Sequence, residues 1–243
     1  MLSVFKKEIG AFFSSLTGYL AIAIFLIVSG LFLWVFPESS ILDYQYASLE
    51  SFFTLAPWVL IFLIPAITMK SLSEEFNSGT IEFLLTKPLS DWQIILGKYF
   101  ACLVLVAFAI LPTLVYYYSV YQLGVEVGNI DTGATNGSYI GLLFLSGVFV
   151  AIGLFASSIS NSQIVAFIFA VFLSFFFYAA FDSLSQLGIF YAKMDYILQN
   201  LGVAFHYNSI SRGVIDSRDI IYFLSVISIF IMLTYIVLQN RKS

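Results

Sequence analysis

The stretch YFACLVLVAFAILPTLVYYYSVY, Tyr99–Tyr121, runs for 23 residues without a charged side chain. At about 1.5 Å of rise per residue, a helix of that length reaches about 34 Å, enough to cross a hydrocarbon core about 30 Å thick. Lys98 bounds the run on one side, and the next charge on the other is Glu126. Five more runs of the same kind lie on either side of it: Leu16–Phe36, Phe52–Met69, Tyr139–Ile159, Ile164–Phe181 and Ile220–Leu238. All 10 Lys+Arg and all 14 Asp+Glu fall outside the six runs. With 60% hydrophobic residues and a mean hydropathy of +0.98, the natural solvent is a bilayer. The pattern predicts an all-α polytopic membrane protein, one unit over residues 1–243 with six transmembrane helices. The first run is too long, and too well continued by the others, to read as a cleaved signal peptide.

Orientation follows from Lys and Arg, which are retained on the cytoplasmic side near span ends. Placing both termini in the cytoplasm puts Lys6, Lys7, Lys70, Lys87, Lys98, Arg241 and Lys242 inside and leaves Lys193, Arg212 and Arg218 outside. The net charge of −4 comes mostly from acidic residues of the outer loops, which weigh little in this rule and name no partner.

The spans exclude several functions. They hold no carboxylate, His or Lys to relay a coupling ion, which argues against a gradient-driven carrier. Broken-helix carbonyls near Pro57 and Pro65 are the remaining route to one. The one histidine, His206, lies in an outer loop and reads as an interfacial polar residue, since no second His and no Cys is near enough to complete a metal site. Cys102 lies inside a run and reads as packing, so no disulfide or metal framework is present. No catalytic residue is assigned. No phosphate-binding loop exists either: Gly97-Lys98 is followed by Tyr99, and Trp92 stands where the first glycine belongs. Any ATP, with its Mg, must be bound by another chain, and this chain binds no cofactor. Nothing points to nucleic acid.

The long inner loop, residues 70–98, is the most specific stretch. Glu74, Glu75 and Phe76 precede Gly79, which can supply the positive φ that ends a first short helix. Thr80 can cap a second, carrying Glu82 and an apolar stripe of Ile81, Leu84 and Leu85. Pro88 breaks that stripe, and Ser90 can cap the helix that becomes span three. Such a helix suits docking into a partner's groove, or it is a capped helix with a solvated acidic face.

This arrangement resembles the ABC-2 type permeases. Their first inner loop carries an acidic position (here Glu74 and Glu75), a Gly-Thr turn (Gly79-Thr80), an acidic residue and a Leu-Leu pair (Glu82, Leu84, Leu85), and a Pro-x-Ser break (Pro88 to Ser90). The resemblance implies that this segment, Phe76 included, is a coupling helix resting on a separate ATP-binding-cassette ATPase. It also implies a second permease subunit, either another copy or a related chain, with the pathway between the two. Near the last span, the run Ser211 to Asp216 followed by Tyr222-Phe223-Leu224 looks like the branch associated with bacterial gliding motility. That branch implies a bacterial inner-membrane exporter. A cargo-free anchor of an ATPase-driven motility complex is the alternative reading, and a gradient-driven carrier a third.

Further expectations are local. Pro57, Pro65 and Pro112 are hinges or static kinks. Residues 1–15 form an interfacial helix, with Leu2, Phe5, Ile9, Phe12 and Phe13 near one face and Lys6, Lys7 and Glu8 elsewhere, or else extend span one. Gly147, Ala151 and Gly153 allow close helix approach. The Phe-rich fifth span faces lipid or a subunit. Asp216 or Ser217 caps the sixth helix. In the outer loop, residues 182–218, the spacing of Leu187, Phe190, Met194, Ile197, Leu198 and Leu201 predicts an amphipathic helix.

Overall fold

A computed structural model describes residues 1–37, 39–42, 47–80, 90–185 and 192–241. In chain order the α-helices are α1 (Leu2–Phe13), α2 (Leu16–Trp34), α3 (Glu50–Thr68), α4 (Lys70–Asn77), α5 (Asp91–Ile110), α6 (Leu114–Leu123), α7 (Thr132–Ile159), α8 (Gln163–Phe175), α9 (Phe181–Ser185), α10 (Ala192–Leu201), α11 (Val203–Ile210) and α12 (Ser217–Asn240). A 3-10 turn, Leu111–Thr113, joins α5 to α6, and a π turn, Phe176–Ala180, joins α8 to α9. Among the described residues five helical stretches are long and apolar enough to cross a membrane, or six if the bent pair α1 and α2 counts as one span.

α7 is the centre of the bundle. It packs against α3, α4, α5, α8, α11 and α12, and 78% of its apolar window is buried. In lipid, apolar side chains gain nothing by leaving the solvent, so helices associate through close packing and hydrogen bonds, and small residues favour both. A Cβ added to Gly153 would lie 2.1 Å from Thr68 Oγ1, so α3 and α7 touch here backbone to side chain. Two turns away Tyr99 of α5 donates from its hydroxyl to the Gly147 carbonyl at 3.3 Å. Phe149, Leu145 and Leu142 of α7 complete a core with Phe52, Leu60 and Ile64 of α3. The outer helices differ: only 22% of the window from Gln163 to Ser185 and 28% of that from Ser217 to Asn240 is buried. Phe172, Phe175 and Phe176 are exposed on the fifth span, as a lipid-facing or intersubunit surface requires.

Several boundaries move from where hydropathy puts them. α1 meets the following helix at 68°, so it does not extend span one in a straight line. Ser90 and Gln93 form a capping box, each side chain accepting from the other's backbone N–H at 3.3 Å, which starts span three at Asp91 rather than Tyr99. Span two runs on through α4, and Asp216 caps α12 by accepting from Arg218 N at 2.9 Å. α4 and α5 thus take up both ends of the expected inner segment, and residues 81–89 within it lie outside the described residues. α3 continues through Pro57 and Pro65, whereas span three changes to 3-10 geometry at Pro112. The outer helix is seen from Ala192 to Leu201, with Ile197 and Leu201 exposed; the expected residues Leu187 and Phe190 lie outside the described residues. α11 follows it and had no signal in the hydropathy.

Candidate functional site

Lys98, the eighth residue of α5, is fully buried, and its ammonium is held from three sides. Nζ lies 2.7 Å from Glu8 Oε1 of α1 and 3.0 Å from Glu75 Oε2 of α4, and it donates to the Ser71 carbonyl at 2.6 Å. Lys7 of α1 donates to Glu75 Oε1 at 2.9 Å. Two cations and two carboxylates thus join α1, α4 and α5 at one end of the bundle. Removing an ion from water costs several kcal/mol, and only this density of partners offsets it. The arrangement corrects one expectation, a solvated acidic face on α4, and it turns the half-buried Glu8 of α1 toward Lys98. Glu75 is buried (7% exposed) and ion-paired within the chain, while Glu74 beside it is exposed.

A second device holds α4 against α7. The Ser157 hydroxyl accepts from Leu72 N and Ser73 N, both at 3.0 Å, and donates to the Met69 carbonyl at 3.0 Å. It caps the start of α4 from a neighbouring helix, where no side chain of α4 does so. The half-buried Phe76 lies under the Arg241 guanidinium, 4.3 Å from ring centroid to carbon, and Arg241 also bonds Asn161 and the Ile159 carbonyl. The C-terminal end of α12 is thereby tied to α4 and to the turn after α7.

Past α4 the chain turns at Gly79, whose φ of +69 is the left-handed geometry the sequence reading required. Ser78 and Thr80 share a hydrogen bond of 2.8 Å across it, and both are exposed. Between α1 and α4 a cleft of about 490 Å³ is lined by Lys7, Glu8, Lys70, Glu74, Glu75 and Thr80 among others. Of the expected coupling residues, Glu74, Glu75, Phe76, Gly79 and Thr80 gather at this end; Glu82, Leu84, Leu85 and Pro88 lie outside the described residues.

At the opposite end His206 is not an interfacial loop residue. It lies buried in α11, with Nδ1 2.6 Å from Asp219 Oδ1 and its ring stacked 3.8 Å from Tyr222. Nε2 is 2.9 Å from the Asn200 carbonyl, which can only accept, so Nε2 carries a proton. Tyr207 donates to the Phe53 carbonyl at 2.8 Å, and burial pushes its phenol well above the ordinary value. These bonds pin α11 to α3 and α12. Lys98, Glu8, Ser157 and the His206–Asp219 pair were missed in the sequence because each is defined by partners from 13 to 90 residues away. Among the described residues no group of His, Cys, Asp and Glu is placed to hold a metal.

The fold and this site define a multi-pass membrane protein with charged anchoring at one end of its bundle. The chain matches the family model described as "ABC-2 family transporter protein" over residues 2–242, and it belongs to that family. It is thus the membrane component of an ABC transporter, a transport subunit and not itself the ATPase, in a family that normally works with an ABC ATPase. No curated protein matches the chain.

Proposed function

We propose that the chain couples ATP hydrolysis on a separate ATPase subunit to export across a bacterial inner membrane, with the Lys98 end of the bundle in the cytoplasm. The observation that carries this reading is the ion-pair cluster of Lys7, Glu8, Glu75 and Lys98, in which Lys98 and Glu75 are buried. Through it α1, α4 and α5 must move together, so force applied at the Ser78–Thr80 turn reaches spans one, two and three at once. A pushed element biased by nucleotide on another chain is a two-state device of the usual kind. The exposed Glu74, the turn at Gly79-Thr80 and the stretch through Glu82, Leu84, Leu85 and Pro88 form the ATPase contact. ATP and Mg reside on that partner, and a second permease subunit completes the pathway. The stretch from Ser211 to Asp216, with Tyr222-Phe223-Leu224, supports a place in gliding motility.

The test is copurification of an ABC ATPase with the tagged chain, wild type against Glu74→Ala. The reading expects hydrolysis only in the complex and at least tenfold weaker association for the variant, since truncating one partner of an interfacial charge pair costs about 2–5 kcal/mol. ATP turnover by the purified chain alone, or undiminished association of the variant, would overturn it.

A further inference from the structure

At the end of the bundle opposite Lys98, a cleft of about 500 Å³ opens between α3, α7 and α11. Two buried phenols, Tyr207 and Tyr178, lie among its lining residues. The Tyr207 hydroxyl is spent on the Phe53 carbonyl. The Tyr178 hydroxyl has no hydrogen bond to any described residue, although Tyr178 is only 7% exposed. Its oxygen is not sealed from solvent, so a group entering the cleft can reach it. Its position is also irregular in the backbone: Tyr178 is at the middle of the π turn Phe176–Ala180, and such turns recur at functional sites. Against it, edge to face at 5.4 Å, packs Trp58, which keeps 41% of its surface open and also lines the cleft.

The rim is polar and of mixed sign. Arg212, Asn208, Glu50 and Asp131 all line it and all are exposed, with Asp131 Oδ1 also accepting from Ala134 N as the cap of α7. A simple anion would meet two carboxylates, and a simple cation would meet Arg212 with no buried carboxylate below it. A polyhydroxylated ring answers every group: its hydroxyls both donate and accept, and its C–H faces cover an aromatic side chain. We infer that this cleft binds a sugar ring, with Tyr178 donating to a ring oxygen and Trp58 stacking on its apolar face. The site goes beyond the coupling reading and needs no ATPase to be occupied.

The experiment uses the full chain in phosphatidylcholine nanodiscs, with Trp34→Phe and Trp92→Phe leaving Trp58 the sole tryptophan. Trp58 emission is followed on adding neutral oligosaccharides of hexoses and N-acetylhexosamines, or on including galactosyl diacylglycerol in the disc. A saturable change is expected with one arm. The soluble arm identifies a free glycan, and the lipid arm a glycolipid headgroup. Tyr178→Phe should weaken binding about fivefold, the value of one neutral hydrogen bond, with the melting temperature unchanged because the hydroxyl holds no protein partner. No saturable response in either arm, a response equal to that from plain phosphatidylcholine, or full binding by Tyr178→Phe overturns the assignment. Loss of ATPase association leaves it standing, and its own failure leaves the coupling reading intact.

Discussion

Lys98 and Glu74 show how differently two charges at one end of a bundle behave. Lys98 is surrounded by Glu8, Glu75 and the Ser71 carbonyl, so taking it away leaves two carboxylates with reduced compensation in a dry setting. Lys98→Met should lower stability by about 3–5 kcal/mol, visible as a drop in melting temperature in detergent. Glu75→Ala should do the same on a smaller scale, since Lys98 keeps Glu8. Glu74→Ala, at an exposed position, should stay within about ±0.5 kcal/mol in the same assay. Any loss of ATPase association by the Glu74 variant is then a contact effect and not a folding one. Equal melting temperatures for Lys98→Met and wild type would show that the cluster does not anchor α1 and α4.

At the scale of elements, α4 ends in a turn that depends on one glycine. An added Cβ at Gly79 meets nothing within 4 Å, so substitutions there act only through the backbone at φ +69. A β-branched residue in that region costs about 1–2 kcal/mol, whereas Asn tolerates it. Gly79→Val should therefore weaken ATPase association while Gly79→Asn largely retains it, as copurification can measure. α7 is limited by space. With Thr68 Oγ1 2.1 Å and Thr68 Cβ 2.8 Å from where the new Cβ would stand, Gly153→Ala must separate α3 from α7. Overpacking of this kind costs about 1–3 kcal/mol, read again as a lower melting temperature.

For the whole molecule, the two ends differ in their charge. Lys7, Lys70, Lys98 and Arg241 gather with α4, and Arg212 and Arg218 lie with α11 at the other end, the separation expected of a positive-inside protein. Cysteines at Ser48 or Asn136 should react with an impermeant thiol reagent in intact cells, and one at Ser78 should not. Asn136 is the better probe than its neighbour Thr135, which is buried. The native Cys102 is buried and adds no background. Labelling of Ser78→Cys from outside would reverse the orientation and remove the coupling assignment with it.

Sequence alone was enough for the all-helical membrane class, the turn at Gly79, the cap at Ser90, a cap at Asp216 or Ser217, and the close-packing glycines of α7; of the six expected spans, five are single helical stretches and the first is reached only by counting the bent pair α1 and α2 as one. Each of these is written in a run of neighbouring residues: lipid demands about 20 apolar positions in a row, a cap needs one side chain within three residues, and a left-handed turn needs a missing Cβ. Tertiary structure alone decided that Glu75 is buried while Glu74 is not, that Glu8 faces inward, that Ser157 caps α4, and that His206 pairs with Asp219 rather than lying at an interface. Adjacent carboxylates read alike in a sequence, because hydropathy records what a residue is and not which residue meets it. The partners of Lys98 stand 90 and 23 positions away, and only the bend between α1 and α2 and the inward run of α4 bring them within 3.0 Å.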